Sequence, residues 1–321
     1  MTRRRTVLAT AATAALAVAV VYALPLETPA DFDGNGQTDW AVVRNIGGGP
    51  SGQVRWYSLD AAFGALDWGI STDFFAAADF DGDSRTDHVV WRPGAAGVAA
   101  FYIRQSLNGA VRVESFGQTG DDPTVVADYD GDGRADPAVY RPGATPGAQS
   151  YWYYRGSFSN PAGNVTVIPW GANGDFPAPG DYDGDGKSDV AVQRSVGGQG
   201  VFYIRRSSDG AVQITPWGLP TDFIAPGDYD GDGRSDLAVV RTTAGTKVWW
   251  ILRATGSVSA QGFGTTGDTL TPGDYDGDGR TDLSIWRPST GQFWALRSTS
   301  GLAVYNWGTN GDLPVANFNV H

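Results

Sequence analysis

The sequence predicts an all-β fold made of similar units repeated along the chain, and three observations support this prediction. First, a nine-residue segment rich in aspartate begins at Asp31, Asp79, Asp128, Asp181, Asp228 and Asp274, at intervals of 48, 49, 53, 47 and 46 residues. Second, 45 glycines and 18 prolines punctuate short runs of valine and aromatic residues. Third, no long segment has the 3.6-residue period of an amphipathic helix. Such a repeat is typical of solenoids and propellers.

The first 23 residues predict a secretory signal peptide. Three arginines at positions 3–5 precede an apolar stretch at 7–21, and small residues follow before Leu24, where the mature chain would begin. A retained membrane anchor is the alternative, but the apolar stretch is short for a span and nearly half alanine. Arg4 and Arg5 also partly resemble a twin-arginine signal, so Sec and Tat export both stay open. We expect a secreted protein with no membrane insertion after cleavage.

Each repeated unit contains four short strand-like runs joined by turns. In the fifth unit these are DLAVVR, TKVWWILR, VSAQGFG and the segment GDTLTPGDYDG that leads into the next loop. Four strands per interval match the size of a propeller blade, and radial repetition protects strand edges. We therefore expect residues 24–321 to form a single β-propeller domain with six four-stranded blades; a seven-bladed ring and an open ring are the alternatives.

The C-terminal segment is expected to close the ring. Residues 313–319 resemble the inner strand that precedes each loop, but Asn317 and Asn319 stand where the loops have aspartate, so no seventh loop is predicted. Residues 24–30 resemble the same strand. Because only one of the two segments can fill the seam, we expect the C-terminal one to pair into the first blade.

The nine-residue loop, DYDGDGRSD in the fifth copy, has the chemistry of a calcium site. Carboxylates at positions one, three, five and nine would repel one another without a cation, and Ca²⁺ takes six to eight oxygen ligands. Position seven would add its backbone carbonyl, and the glycines at positions four and six allow a sharp turn. About six Ca²⁺ ions are expected, one per repeat. The predicted ligands are Asp31, Asp33, Asn35, Gln37, Asp39, Asp79, Asp81, Asp83, Arg85, Asp87, Asp128, Asp130, Asp132, Arg134, Asp136, Asp181, Asp183, Asp185, Lys187, Asp189, Asp228, Asp230, Asp232, Arg234, Asp236, Asp274, Asp276, Asp278, Arg280 and Asp282.

Two other interpretations of the loop fit less well. An EF-hand places a glutamate at position twelve before a helix, whereas Val239 stands there in the fifth copy and belongs to a strand-like run. Solvated Asp/Gly turns do not explain why the ninth position is aspartate in all six copies. Asn35 removes one carboxylate from the first loop, and Ser84 replaces a glycine in the second, so these two sites are expected to be the weakest.

Composition agrees with internal neutralisation by calcium. The chain has no cysteine, so disulfides cannot stabilise it outside the cell. Its net charge of −12 becomes −15 without the three N-terminal arginines, and six Ca²⁺ ions would bring it to −3. An acidic chain of this kind does not suit a nucleic acid partner.

The loop and its surroundings, as in FGTTGDTLTPGDYDGDGRTDLSIWRP, resemble the FG-GAP/VCBS repeats of bacterial secreted proteins and of integrin α-subunit propellers. The resemblance covers nearly all of residues 24–321. It implies that the loop between the first and second strands of a blade binds Ca²⁺, and that a ligand would bind at the calcium-free end, where the turns 45–53 and 142–150 are expected. Six full units depart from the usual seven, which leaves the blade count open.

Other periodic residues are interpreted as structural. An arginine follows each closing aspartate by five residues, and another aspartate precedes each inner strand; we expect these to pair. Two aromatic columns are expected to pack between blades. The first column is Trp56, Phe101, Trp152, Phe202, Trp250 and Trp294, with Trp40 and Trp249 outside it.

Little remains for catalysis. The acids outside these sets are Glu27, Asp60, Asp67, Glu114, Asp122 and Asp209, and the only histidines are His88 and His321. No pair of acids or Ser-His arrangement is recognisable among them. We therefore predict a monomeric, non-catalytic binding or adhesion module for an extracellular protein or glycan. A carbohydrate-active hydrolase or lyase on the same scaffold is the alternative.

Overall fold

The computed structural model describes residues 28–60, 63–157 and 160–317, which form a six-bladed β-propeller. Residues 1–27, which include the predicted signal peptide, and residues 318–321 lie outside the described residues. The all-β, six-bladed prediction is confirmed, and the seven-bladed and open-ring alternatives are wrong. No helix in the described ranges is long and apolar enough to cross a membrane.

Each blade is an antiparallel sheet whose strands follow one another from the centre of the ring outwards. The first two blades contain β1 (Ala41–Asn45), β2 (Gln53–Ser58), β3 (Ala65–Ile70), β4 (Phe74–Phe75), β5 (His88–Arg92), β6 (Ala100–Arg104) and β7 (Val111–Ser115). The third and fourth contain β8 (Ala138–Arg141), β9 (Gln149–Tyr154), β10 (Thr166–Ala172), β11 (Phe176–Pro177), β12 (Val190–Val196), β13 (Gln199–Arg205) and β14 (Val212–Pro216).

The remaining strands complete the ring. The fifth and sixth blades contain β15 (Phe223–Ile224), β16 (Leu237–Thr243), β17 (Thr246–Leu252), β18 (Val258–Thr265), β19 (Thr269–Leu270), β20 (Leu283–Arg287), β21 (Gln292–Arg297) and β22 (Gly301–Asn306), followed by β23 (Leu313–Pro314) and a 3₁₀ helix (Val315–Asn317). In the third blade the inner strand is reduced to a single bridge between Asp122 and Tyr140.

The last strand closes the ring. Strand β23 pairs antiparallel with β1, with Val42 opposite Pro314 and Val43 opposite Leu313. Ala30, which precedes the first loop, belongs to the same buried cluster as Val315. The first blade is therefore built from both ends of the described chain, as the sequence predicts.

The core consists of apolar layers between neighbouring blades. Strands such as β5 and β20 are buried on both faces because other blades flank them on either side. Four members of the first aromatic column are buried as predicted, Trp294 packs partly buried against the core, and the prediction is wrong for Trp250, which is 37% exposed. In the fifth and sixth blades the fully buried rings are those of the preceding residues, Trp249 and Phe293. Both β17 and β21 carry adjacent aromatics, and a one-residue shift turns a side chain to the opposite face of a sheet.

The periodic arginines and aspartates pair within each blade, which confirms their structural role. In every blade the guanidinium makes two hydrogen bonds, of 2.6–2.9 Å, to the carboxylate that precedes the inner strand. That carboxylate also accepts a backbone amide, as from Ile70 to Asp73. At the seam the partners are Arg44 and Asp312, which join the two ends of the described chain.

Candidate metal centres

The six aspartate-rich loops all lie at one end of the propeller. Each loop follows the inner-strand position and leads into the second strand of its blade, and in five blades a bridge ties its ninth residue to the residue before its first. The turn between the third and fourth strands reaches the same end, because Ser106 and Ser157 donate their hydroxyls to Asp83 and Asp132. Turn 45–53 lies at the other end, where Ser71 Oγ donates to the Gly49 carbonyl. The predicted placement of the loops and turns is confirmed.

Backbone amides fix two carboxylates in every loop. At position one, the carboxylate accepts the amides of positions four and six, as in Asp228 with Gly231 at 2.6 Å and Gly233 at 2.8 Å. At position nine, the carboxylate accepts the amide of position two, as from Tyr229 to Asp236 at 3.0 Å. Both carboxylates are buried in every loop, with one exception: Asp79, at position one of the second loop, is partly buried.

These constraints gather carboxylate oxygens from separate positions around one point. In the first, second, third and fifth loops, carboxylate oxygens of positions one, three and nine lie within 4.8 Å of one another. In the fourth loop, carboxylate oxygens of positions one, three and five lie within the same distance. At position three, Oδ1 of Asp81, Asp230 and Asp276 is buried without a hydrogen-bond partner among the described residues. A buried anionic oxygen without a partner is costly, and a cation removes that cost. The donor set therefore fits a hard, oxygen-seeking ion such as Ca²⁺.

The electrostatics of the ninth position point the same way. Burial, reinforced by the neighbouring carboxylates, raises the pKa of Asp136 to about 8 and that of Asp87 to about 7. Burial likewise raises the pKa of Asp189, Asp236 and Asp282 to about 6 and that of Asp39 to about 7. At neutral pH these clusters hold charge that the protein alone does not neutralise, so they favour a bound cation.

The first two loops depart from the others as their sequences indicate. Asn35 donates its side-chain amide to Asp33 at 3.2 Å instead of adding a carboxylate. Ser84 has a φ of 66°, in the left-handed region where the other loops have glycine. That these two sites bind most weakly stays a prediction, as does the ligand role of the position-seven carbonyls at Gln37, Arg85, Arg134, Lys187, Arg234 and Arg280.

One acidic neighbour of the first loop was not recognised from sequence. Asp60 follows β2 in the turn that faces this loop, and desolvation of its carboxyl group together with the Asp33 carboxylate raises its pKa. At the aligned position the other blades have Gln105, Gly156, Arg206, Arg253 and Arg297. The additional acid therefore lies beside the one loop that lacks the carboxylate at position five.

The other acids and the buried histidine have structural partners. Asp67 pairs with Arg55, Asp209 pairs with Arg206, and Glu114 lies between Arg112 and Arg155. Asp122 accepts two hydrogen bonds from Thr124. His88 stacks on Phe32 at 4.6 Å, and burial lowers its pKa to about 3, so it is a neutral core residue. Within the described ranges, these residues form no acid-base pair suited to catalysis.

Two clefts open between blades beside the loops. The cleft between the third and fourth blades has a volume of about 340 Å³ and is lined by the stacked rings of Tyr129 and Tyr154, with Lys187, Arg205 and Arg206 around them. The cleft between the fifth and sixth blades, about 410 Å³, includes Arg253 and Arg297. Both are concave surfaces of mixed apolar and cationic character.

Residues 228–285 match a family model described as an FG-GAP-like repeat. This segment is therefore similar to FG-GAP-like repeats. It contains the whole fifth and sixth loops, and the resemblance in sequence is thereby confirmed for this part of the chain. A comparison with curated proteins finds no match in sequence.

Several solved structures are similar in shape. A mutant of the Aleuria aurantia lectin in complex with α-methyl-L-fucoside has 12% identity and a TM-score of 0.49, covering 89% of this chain and 98% of its own. A mutant of AofleA from Arthrobotrys oligospora has 12% identity and a TM-score of 0.47, covering 92% and 89%. A Lactobacillus plantarum protein has 14% identity and a TM-score of 0.41, covering 86% and 98%. At this level of similarity nothing about the function of this chain follows.

Proposed function

We propose that the protein is a calcium-stabilised propeller that acts outside the cell as a non-catalytic binding module. The observation that carries the calcium part is the buried carboxylate cluster that recurs in the loops, with a position-three oxygen left without a partner in several copies. Six such clusters in a chain without disulfides would be a source of repulsion unless cations bind them.

The residues that would hold the ion are the acids at positions one, three, five and nine, with the carbonyl of position seven. Bound Ca²⁺ supplies positive charge and a fixed coordination shell, which together replace the missing disulfides as a local constraint. The protein contributes the geometry, since backbone amides already orient positions one and nine. Each loop joins the inner strand of a blade to its second strand, so the ion would fasten the centre of the ring.

The binding part of the proposal rests on what the acids do. The described acids outside the loops are held in ion pairs or hydrogen bonds or lie beside the first loop, so the scaffold offers surfaces rather than a catalytic centre. We place the ligand, an extracellular protein or glycan, at the calcium-free end. The turns there, 45–53 and 142–150, are free of metal geometry, and surface loops tolerate the variation that recognition needs.

Metal analysis tests the calcium part directly. The mature chain should be stripped with chelator, dialysed against buffer containing Ca²⁺, and measured for bound metal by mass spectrometry. We expect about six ions per chain, with the first two loops the last to fill. Retention of less than one equivalent would contradict the proposal.

A glycan array beside a turnover screen on polysaccharides tests the binding part. Replacing turns 45–53 and 142–150 with short Gly-Ser turns should abolish ligand binding without changing calcium content. Arg205→Ala, in the cleft at the opposite end, is the matched control. Loss of binding only in Arg205→Ala would mean that the ligand binds at the metal end. Turnover of a polysaccharide would mean that the protein is an enzyme instead.

A further inference from the structure

The six metal loops are joined to one another in a continuous circle by backbone hydrogen bonds. In every loop the amide of position eight donates to the carbonyl of position one in the preceding loop, at 2.5–2.7 Å. The donors are Thr38, Thr86, Ala135, Ser188, Ser235 and Thr281, and the acceptors in the same order are Asp274, Asp31, Asp79, Asp128, Asp181 and Asp228. The bond from Thr38 to Asp274 crosses the seam, so the circle has no open end.

Two further contacts join the same neighbours in the same direction. The side chain at position seven lies over the glycine at position four of the preceding loop, so a Cβ on Gly231 would lie 3.0 Å from Arg280 Nε. Where the residue after position nine is itself a ring, it stacks on the ring at position two of the preceding loop, as His88 does on Phe32 with centroids 4.6 Å apart. Across the seam this contact is Trp40 on Tyr275, with ring centroids 4.1 Å apart.

We infer that the six loops bind cations as one coupled ring rather than as six independent sites, an inference that rests on the proposed calcium function. In each loop, the residue at position one contributes a proposed ligand carboxylate, and its backbone carbonyl accepts a hydrogen bond from position eight of the next loop. In that next loop, position eight lies between two proposed ligands, the carbonyl of position seven and the carboxylate of position nine. A cation that fixes position one in one loop therefore also fixes the ligands of its neighbour.

Calcium titration of the mature chain tests the coupling. We expect a Hill coefficient above one for the wild type. Removing two acids of the fifth loop with Asp230→Ala and Asp232→Ala should delete that site and also lower the affinity of the five remaining sites by about 5-fold or more, the lower end of typical coupling between sites. The heats of calcium binding give both quantities.

A second pair of variants tests the hydrogen bond itself. Ser235→Pro removes the amide that donates to Asp181, whereas Ser235→Ala keeps it and copies the alanine that the third loop has naturally at Ala135. The proline variant should lower the Hill coefficient, and the alanine variant should not. Circular dichroism in saturating calcium checks that the proline variant folds; if it does not, the acid-to-alanine variant decides.

The outcomes separate this inference from the proposed function. Six ions that bind with a Hill coefficient of one, and five sites unaffected by loss of the fifth, would overturn the coupling while leaving calcium binding intact. Absence of bound calcium in the metal analysis would overturn the proposed function and the coupling with it.

Discussion

At the scale of single residues, position six of the loops shows how one side chain can weaken a site. The backbone there is left-handed in all six copies, with φ between 66° and 84°, and five copies have glycine. Among the six residues at this position, only Ser84 carries a Cβ. A left-handed residue other than glycine costs about 1–2 kcal/mol.

Ser84→Gly should therefore raise the free energy of unfolding by about 1 kcal/mol, measured by urea denaturation in saturating calcium. Gly133→Ser is the matched control, since Gly133 has the same conformation in the third loop and no atom within 4 Å of an added Cβ. It should lower the free energy of unfolding by a similar amount. An unchanged free energy of unfolding in Ser84→Gly would show that the surrounding structure offsets the cost of the left-handed serine.

The ninth-position carboxylates give the protein a pH dependence of stability that calcium should remove. In calcium-depleted protein their pKa values, about 6 to 8, lie above the ordinary value of 3.8, so the folded chain binds more protons than the unfolded chain between about pH 4 and pH 8. Its stability should fall as pH rises through that window. Calcium binds the deprotonated form and so removes the extra protons from the folded chain, and in saturating calcium stability should therefore stay nearly constant between about pH 5 and pH 8.

Thermal melts at pH 5 and pH 8, with chelator and with calcium, measure both slopes. An equal fall in stability from pH 5 to pH 8 in the two conditions would mean that the ninth-position carboxylates are not the groups that calcium binds.

At the scale of elements, the sequence predicted the blades and loops because their spacing repeats, and it failed where spacing alone is ambiguous. Trp249 and Trp250 are adjacent, so only the pairing of Val240 with Trp249 decides which ring enters the core. Asp60 could not be assigned to the first loop, because the turn after β2 brings it there from a position that is not acidic in other blades.

The seam makes a prediction about the two ends of the chain. Deleting residues 313–321 removes β23 and the buried Val315 and Ala316, so it should cost far more stability than deleting residues 24–29. Denaturation midpoints of the two truncated proteins provide the comparison. Equal tolerance of both deletions would mean that β23 does not hold the ring closed.

At the scale of the whole molecule, calcium depletion should affect every blade at once. The net charge is −12, and the acidic clusters lie together at one end of the ring. Because an ion that binds only the folded state stabilises it in proportion to the logarithm of its free concentration, the melting temperature should climb with added calcium. Chelator should lower it by tens of degrees, and an unchanged melting curve would contradict the proposed role of the ion.

The seam also determines the order in which the molecule can assemble. The arginine–aspartate pair of the second blade joins residues 19 positions apart, whereas the pair between Arg44 and Asp312 spans 268. Closing the longer loop costs about 2 kcal/mol more chain entropy, so the first blade is the last to be completed. During synthesis, the inner edge of β1 must remain unpaired until Leu313 is available. An exposed strand edge can pair with other chains, so this interval is when a nascent copy is most prone to aggregate.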